Sequence, residues 1–509
     1  MKNKQARSLL DCLAYEKLLA LKGEDFWLKK GERSALRLFH DMARRVPAYK
    51  RFLKDHGVLC ARIKTVKDMR LIPIMTKKNY LKKYPLEDLC WDGKLSALSI
   101  MSVSSGSTGE PTCWPRGHEQ DGETSLSHEL FMRDSFEIHK RSTLFINSFA
   151  MGVWIAGILT YRVVDEFAEK YRLTQITTGI NKDEIISIIK RIGKKYDQII
   201  IAGYPPFVKD VIDDGPRNGI VWKQFNIKFL FAAESFSEGW RDYMYEKVGA
   251  KNPYKDSLNI YGTADACILA HETPLSVLVR RIAFKNATLY ERIFTDIKRV
   301  PTLAQYNPAF RFFEEKEGTL FLSARSGVSL FRYDVGDSGG IILFSEMEKI
   351  LSEQGIDIRR EAKKHGISIS QLPFVFVFGR SDFTALLYGV NIYPENIRDA
   401  LGHPDISRFV SGKFMMLTGH DKKKNQYLEI NIELQNSKPF SDSAIVAMIE
   451  ERITQTLKEK NSEYKKLSEI IGSRARPKIK IHPYGYPEFF RPGIKQKWHQ
   501  KKTNLMGRI

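Results

Sequence analysis

The sequence predicts an α/β protein in two parts, a large N-terminal α/β domain over residues 1–379 and a small C-terminal α+β domain over residues 380–509. Three observations carry that expectation. From residue 183 onward, helical runs alternate with short apolar runs, the pattern of a layered sheet. After "FVFVFGRSD" (374–382) the alternation gives way to a mixed module of about 130 residues, the size of a small domain. With 509 residues, 43% of them hydrophobic, the chain can bury more than one core.

Taken in order, "SLLDCLAYEKLLALKG" (8–23) and "RSALRLFHDMARRVPAYKRFLKDHG" (33–57) carry apolar residues at helical spacing. "STLFINSFAMGVWIAGILTY" (142–161) is uncharged and long enough to span a bilayer, but Asn147, Ser148 and its glycines favour a buried helix beside a ligand pocket. "DEIISIIKRIGKKY" (183–196) reads as a helix, "DQIIIAGY" (197–204) and "IKFLFAAE" (227–234) as buried strands, "EGWRDYMYEKVG" (238–249) as a helix and "SLNIYG" (257–262) as a strand. Short strands broken by turns are expected from "GTLFLSARSG" through "VSLFRYDVGD" to "GGIILF" (318–344). In the C-terminal module, helices are expected at 394–401 and 441–460 and strands at 413–420, 427–434 and 477–484.

The net charge of +21, from 81 Lys+Arg against 60 Asp+Glu, favours anionic partners such as nucleotides, coenzyme A or an acidic carrier protein. No specific nucleic-acid partner is expected, because no recognised motif or aromatic–basic interleaving accompanies the charge. The five cysteines form no CxxC pair, which argues against a zinc knuckle or a disulfide framework and fits a reducing cytoplasm. Acidic residues interrupt the apolar stretches of the N-terminus before a signal-peptide core can form. Oligomeric state is not legible.

The stretch "SVSSGSTGEPT" (102–112) is a candidate phosphate cradle: glycines let backbone N–H groups turn inward, and serine and threonine hydroxyls add donors without bulk. It lacks both the GK[ST] ending of a P-loop and the G-x-G-x-x-G of a dinucleotide site. Downstream come "NIYGTADA" (259–266), "LFRYDVGDSGG" (330–340), "VFGRSDFTALLYGVNIYPENI" (377–397) and "FFRPGIKQKW" (489–498). In this order, with "VPAYKRFL" and "LIPIMTKKNYLKKYP" ahead of the loop, they resemble the adenylate-forming superfamily and specifically its phenylacetate–coenzyme A ligase branch, which includes the CapK-like proteins.

The resemblance implies the adenylate-forming enzyme fold and ATP-dependent activation of an aryl or fatty acyl carboxylate to an acyl-adenylate. Transfer to a thiol, with coenzyme A as acceptor and Mg²⁺ as metal, follows. It implies that Ser104, Ser105, Ser107 and Thr108 bind the β and γ phosphates, with Gly106 and Gly109 allowing close backbone approach. Tyr261 and Gly262 fall beside adenine and the acyl group, and Ala233 and Glu234 at the strand end that packs on adenine. Asp265 stands where a magnesium-binding glutamate is usual, and Asp337 where an aspartate accepts both ribose hydroxyls. Arg380 corresponds to the nucleotide-contacting arginine, Asp382 to the hinge of a mobile small domain, and Lys495, or else Lys497, to the catalytic lysine. Phe149, Met151, Gly152 and Trp154 fall in the acyl-pocket segment.

Three residues depart from the branch pattern: Ala264 replaces a Ser/Thr, Phe383 a second aspartate and Tyr388 an arginine. The last two bear on the acceptor half-reaction. Acyl transfer to a carrier protein or an amine therefore stays open, as does a non-catalytic basic scaffold on the same fold.

Overall fold

The structure, a computed structural model, describes residues 2–97, 100–104, 112–152, 155–295, 300–380, 385–435, 443–486, 489–490 and 499–501. The chain divides into two compact units, Met1–Ser104 with Cys113–Gly379 and Ser105–Thr112 with Arg380–Ile509.

The larger unit is built on an eleven-stranded sheet. Five strands run parallel, in the order Leu173–Thr177, Thr143–Asn147, Gln198–Gly203, Ile227–Ala232 and Ser257–Thr263. The next neighbour, Cys267–His271, pairs antiparallel with Ser257–Thr263, and Thr302–Gln305, Phe374–Arg380, Leu330–Ile342, Thr319–Ala324 and Arg311–Lys316 complete the order. Gln198–Gly203 is buried at every position, which is why it reads as a continuous apolar run rather than an alternation. The helix Lys182–Ile192 starts where Asn181 accepts the Glu184 N–H at 3.2 Å, and it buries Ile185, Ile186 and Ile189 against the sheet layer.

Two expectations are corrected. The uncharged run 142–161 is not one helix: Thr143–Asn147 is a buried strand and a helix begins at Ile155. Its polar residues break the run, since the Asn147 amide donates to the Gly157 carbonyl at 2.9 Å and the Ser148 hydroxyl donates to the Ala202 carbonyl at 2.6 Å. Among the described residues, no helix is long and apolar enough to cross a membrane. The stretch from "VSLFRYDVGD" into "GGIILF" is not short strands broken by turns but one strand, Leu330–Ile342. Its glycines serve close packing: a Cβ on Gly339 would lie 2.0 Å from the Phe376 carbonyl oxygen.

The smaller unit carries a four-stranded sheet in the order Lys478–His482, Gln426–Leu434, Val410–His420, His499–Lys501. Helices Pro394–Leu401, Ser443–Lys460 and Ser462–Ile471 accompany it. The sequence reading missed the last of these because Asn461 ends one helix and caps the next, accepting the Tyr464 N–H at 3.0 Å. A tight hairpin, Ala385–Leu387 with Val390–Ile392, turns through Tyr388 (φ 50°) and Gly389 (φ 81°), the two left-handed positions of a type I′ turn. Tyr388 is buried; its N–H donates to Gln426 Oε1 at 2.6 Å and its ring lies 6.0 Å from the Arg474 guanidinium.

Candidate active site

In the larger unit, the parallel strands Ile227–Ala232 and Ser257–Thr263 end side by side, and ligands of open α/β sheets bind beyond such carboxyl ends. Ala233 leaves the first in the left-handed region (φ 75°) and is exposed, as is Gly262 on the second. A Cβ on Gly262 would stand 2.7 Å from the Cys267 carbonyl oxygen, so the backbone itself is the accessible surface there.

A buried polar network holds these ends. Asn259 donates from Nδ2 to the Glu234 carbonyl at 2.9 Å, and its own N–H donates to Glu272 Oε2 at 2.8 Å. Glu272 is fully buried between Arg241, at 2.7 Å, and Arg280, at 3.1 Å. Arg280 also donates to the Phe236 carbonyl. Burial alone would push the Glu238 carboxyl up, but the charges of Arg241, Arg280 and Arg281 outweigh it and hold it below the ordinary range.

Two tyrosine–carboxylate pairs cross from one strand to another. The Tyr261 hydroxyl donates to Asp337 Oδ2 at 2.7 Å, joining Ser257–Thr263 to Leu330–Ile342. The Tyr333 hydroxyl donates to Asp265 Oδ2 at 2.5 Å, and Lys77 Nζ lies 3.5 Å from the same oxygen. Asp265, Asp337, Tyr261 and Tyr333 are all buried, each less than one-tenth exposed. In each pair the hydroxyl donor holds the carboxylate in a fixed orientation.

Lys77 reaches Asp265 because its segment docks on strand Leu330–Ile342: Met75 donates to the Arg332 carbonyl at 3.1 Å, and Asp334 donates to the Met75 carbonyl at 2.9 Å. Thr76 and Asn79 form a reciprocal capping pair that starts the turn carrying Lys77. Arg332 (φ 48°) secures the same segment through the Met69 carbonyl at 2.9 Å. Strand Thr112–Arg116, which follows the hydroxyl-rich stretch, places the Arg116 guanidinium 3.4 Å from the Ala264 carbonyl. Burial pushes that guanidinium down to about 9 against the opposing pull of Asp121.

The structure thus brings Tyr261, Gly262, Asp265 and Asp337 to one end of the sheet, with Ala233 and Glu234 at the adjoining strand end. Ser104 closes strand Ile100–Ser104 and Arg380 closes strand Phe374–Arg380. Ser105, Gly106, Ser107, Thr108, Gly109, Trp154, Asp382, Phe383, Lys495 and Lys497 lie outside the described residues. In the acyl-pocket segment, Phe149 is buried against the Tyr204 ring at 5.1 Å, whereas Gly152 (φ 92°) is exposed with open space where a side chain would be. Among the described residues, no group of three or more His, Cys, Asp or Glu could hold a metal ion. Sequence reasoning missed Lys77, Arg116 and Tyr333: a basic run, a strand arginine and a strand tyrosine carry no signal until the fold places them.

No family model matches the chain. It is similar to phenylacetate-coenzyme A ligase of Thermus thermophilus, 21% identical over 396 residues and covering 77% of each chain. Among solved structures it is similar to 2-hydroxyisobutyryl-CoA ligase in complex with 2-HIB-AMP and CoA, with a TM-score of 0.64, 13% identity, and coverage of 95% of this chain and 91% of that one. An open conformation of that ligase matches at a TM-score of 0.51 with 14% identity, covering 94% and 91%. The fold is that of the adenylate-forming ligases. In sequence the chain is similar to a phenylacetate-coenzyme A ligase, and in fold to an acyl-CoA ligase.

Proposed function

We propose that this chain condenses an aryl or fatty carboxylate with ATP and then passes the acyl group to the thiol of coenzyme A. In the first step a carboxylate oxygen attacks the α-phosphorus, the bond to the bridging oxygen breaks, and pyrophosphate leaves with that electron pair. In the second, the thiol sulfur bonds to the acyl carbon and AMP leaves. The observation that carries the reading is the Tyr261–Asp337 pair: a buried two-oxygen acceptor, already oriented by one hydroxyl, at the strand end where a ribose diol needs such a partner.

Adenine rests between the exposed backbone at Ala233 and Gly262, and residues 104–109 receive the β and γ phosphates. The ammonium of Lys77 offsets phosphate charge beside Asp265. Asp265, a hard carboxylate ligand beside the Lys77 ammonium, is the residue that would hold Mg²⁺, and the ion would supply positive charge to offset the phosphates. Arg380 contacts the nucleotide, Met151 and Gly152 line the acyl site with Phe149 packed behind them, and Asp382 is the hinge of residues 380–509.

Lys495 stabilises the α-phosphate only during adenylation. Lys495→Ala should therefore slow pyrophosphate release by about 10²–10³ while leaving thioester formation from a supplied acyl-adenylate nearly intact. The test is to time both half-reactions over a panel of aryl and fatty acids, with coenzyme A and a holo-carrier protein as competing acceptors. Equal slowing of both steps, or loss only in Lys497→Ala, would displace Lys495. ATP binding without pyrophosphate release across the panel would sink the catalytic reading altogether.

A further inference from the structure

A cavity of about 190 Å³ lies in the larger unit, between the N-terminal helix Lys2–Leu21, the helix His118–Phe136 and the strands Cys267–His271 and Thr302–Gln305. None of its lining residues is placed at the nucleotide site, and it extends to the strand end away from Gly262, where His271 pairs with Gln305. The N-terminal helix roofs it and is tied down there: Tyr15 stacks on Phe310 at 5.6 Å and its hydroxyl accepts from Asn307 Nδ2 at 2.8 Å, while Glu16 pairs with Arg133 at 2.8 Å.

The walls are mostly apolar, and several of the polar groups among them have their donors engaged within the protein, whereas the hydroxyls of Tyr306, Ser368 and Ser370 are left to the cavity lining. Gln305 gives both amide hydrogens to the Ser370 and Leu372 carbonyls, at 3.1 and 2.9 Å. The hydroxyls of Thr273, Ser127 and Thr124 donate to Gln305 Oε1, the Glu123 carbonyl and the Gln120 carbonyl, at 2.6, 2.9 and 2.8 Å. Arg311, the cation of the lining, is turned to the Ile268 and Phe310 carbonyls and the Glu123 carboxylate. Beside the hydroxyls of Tyr306, Ser368 and Ser370, which can donate or accept, the cavity holds two groups that only accept. His271 holds its proton on Nδ1, facing the Glu272 carbonyl at 2.8 Å, so its Nε2 is a bare lone pair. Asp134 accepts no hydrogen bond among the described residues; Lys255 and Glu16 are the charges that reach it. Burial pushes its carboxyl up to about 6, so at neutral pH the cavity holds an ionised carboxylate with no donor of its own.

We propose that this cavity is a second ligand site, for a small primary amine with an apolar body, its ammonium paired with Asp134 and its hydrocarbon against Phe131 and Phe310. This goes beyond the ligase reading and does not depend on it.

The test is calorimetric titration of the full chain at about pH 8, where both the amine and Asp134 are charged, with phenethylamine, 2-phenylethanol and 3-phenylpropionate. Phenethylamine should bind once per chain, with 2-phenylethanol at least ~10-fold weaker and 3-phenylpropionate giving no heat. Asp134→Asn should weaken phenethylamine at least ~10-fold, Ser127→Phe should abolish its binding by filling the cavity, and Asp337→Ala should leave it unchanged. Thermal melts establish that each variant is folded; if Asp134→Asn is not, Ser127→Phe and the alcohol comparison decide. No amine binding, unchanged affinity in either cavity variant, loss in Asp337→Ala, or a carboxylate that binds as well as the amine overturns the proposal.

Discussion

Three aspartates of the larger unit, two of them buried and Asp134 partly so, stand in opposite conditions. Asp337 and Asp265 each receive a tyrosine hydroxyl from a residue far away in the chain, 76 and 68 positions apart, and Asp265 also has a lysine. Asp134, on helix His118–Phe136, accepts nothing. At the end of the sheet proposed for the nucleotide, the fold has assembled partners for both carboxylates before any ligand arrives. At the cavity it leaves the charge unmet, so a donor must come from outside or the protein bears the cost. Pairing geometry, not residue type, separates a preorganised site from a receptive one.

The comparison breaks most visibly if Asp337 is dispensable. Asp337→Ala should weaken ATP binding by roughly 10- to 100-fold, the equivalent of about 1–3 kcal/mol for a lost charged acceptor, read by equilibrium titration. Unchanged affinity would mean the ribose binds elsewhere. Lys77→Ala should lower kcat/KM for pyrophosphate release by about tenfold with melting little changed, because it removes a half-exposed cation that acts on phosphate charge.

The unmet carboxylate predicts a stability effect of opposite sign. Asp134 is raised from 3.8 to about 6, so between those values the native state keeps a proton that the unfolded chain has released, and stability falls as pH rises through the window. Asp134→Asn should therefore gain about 1–2 kcal/mol at neutral pH and nothing near pH 4, measured by urea unfolding at both. Its neighbours work the other way. Burial holds His128 and His271 down to about 4, so the unfolded chain takes up protons first and stability is lost as pH falls from 6.5 toward 4. His128→Leu should move the acid-unfolding midpoint downward, although it forfeits the bond from Nδ1 to the Thr124 carbonyl.

Much of the sheet was legible because its strands announce themselves: "IIIAG" in one and "FLF" in the next are buried at every position and read as unbroken apolar runs. The misreadings arose where one polar residue redirects the chain. Asn147 and Ser148 convert an apparent long helix into strand, turn and helix, and Asn461 splits one helical stretch into two. At the site, the motif residues Tyr261, Asp265 and Asp337 were legible as short strings, but Lys77 and Tyr333 were not. Their meaning depends on Met75 bonding to strand Leu330–Ile342, a contact spanning more than half the chain. Asp134 gave no signal either, since an acid near the end of a helix reads as surface until a second helix covers it.

The finest test of preorganisation is to remove the two hydroxyls and keep the carboxylates. Tyr261→Phe removes one hydroxyl from Asp337 and Tyr333→Phe removes one from Asp265, where Lys77 also pairs. Each lost bond is worth about 0.5–1.5 kcal/mol, or roughly 2- to 10-fold. If Asp337 holds ribose, the loss in Tyr261→Phe should appear in KM for ATP with kcat largely retained, because that contact is the same in ground and transition states. If Asp265 acts where phosphate charge develops, Tyr333→Phe should lower kcat and leave KM for ATP nearly unchanged. Opposite kinetic signatures from two chemically identical deletions would separate binding from chemistry within one network. A uniform drop in melting temperature with both parameters untouched would instead assign the two tyrosines to the strand pairing alone, and the distinction between these carboxylates and Asp134 would then be one of stability rather than function.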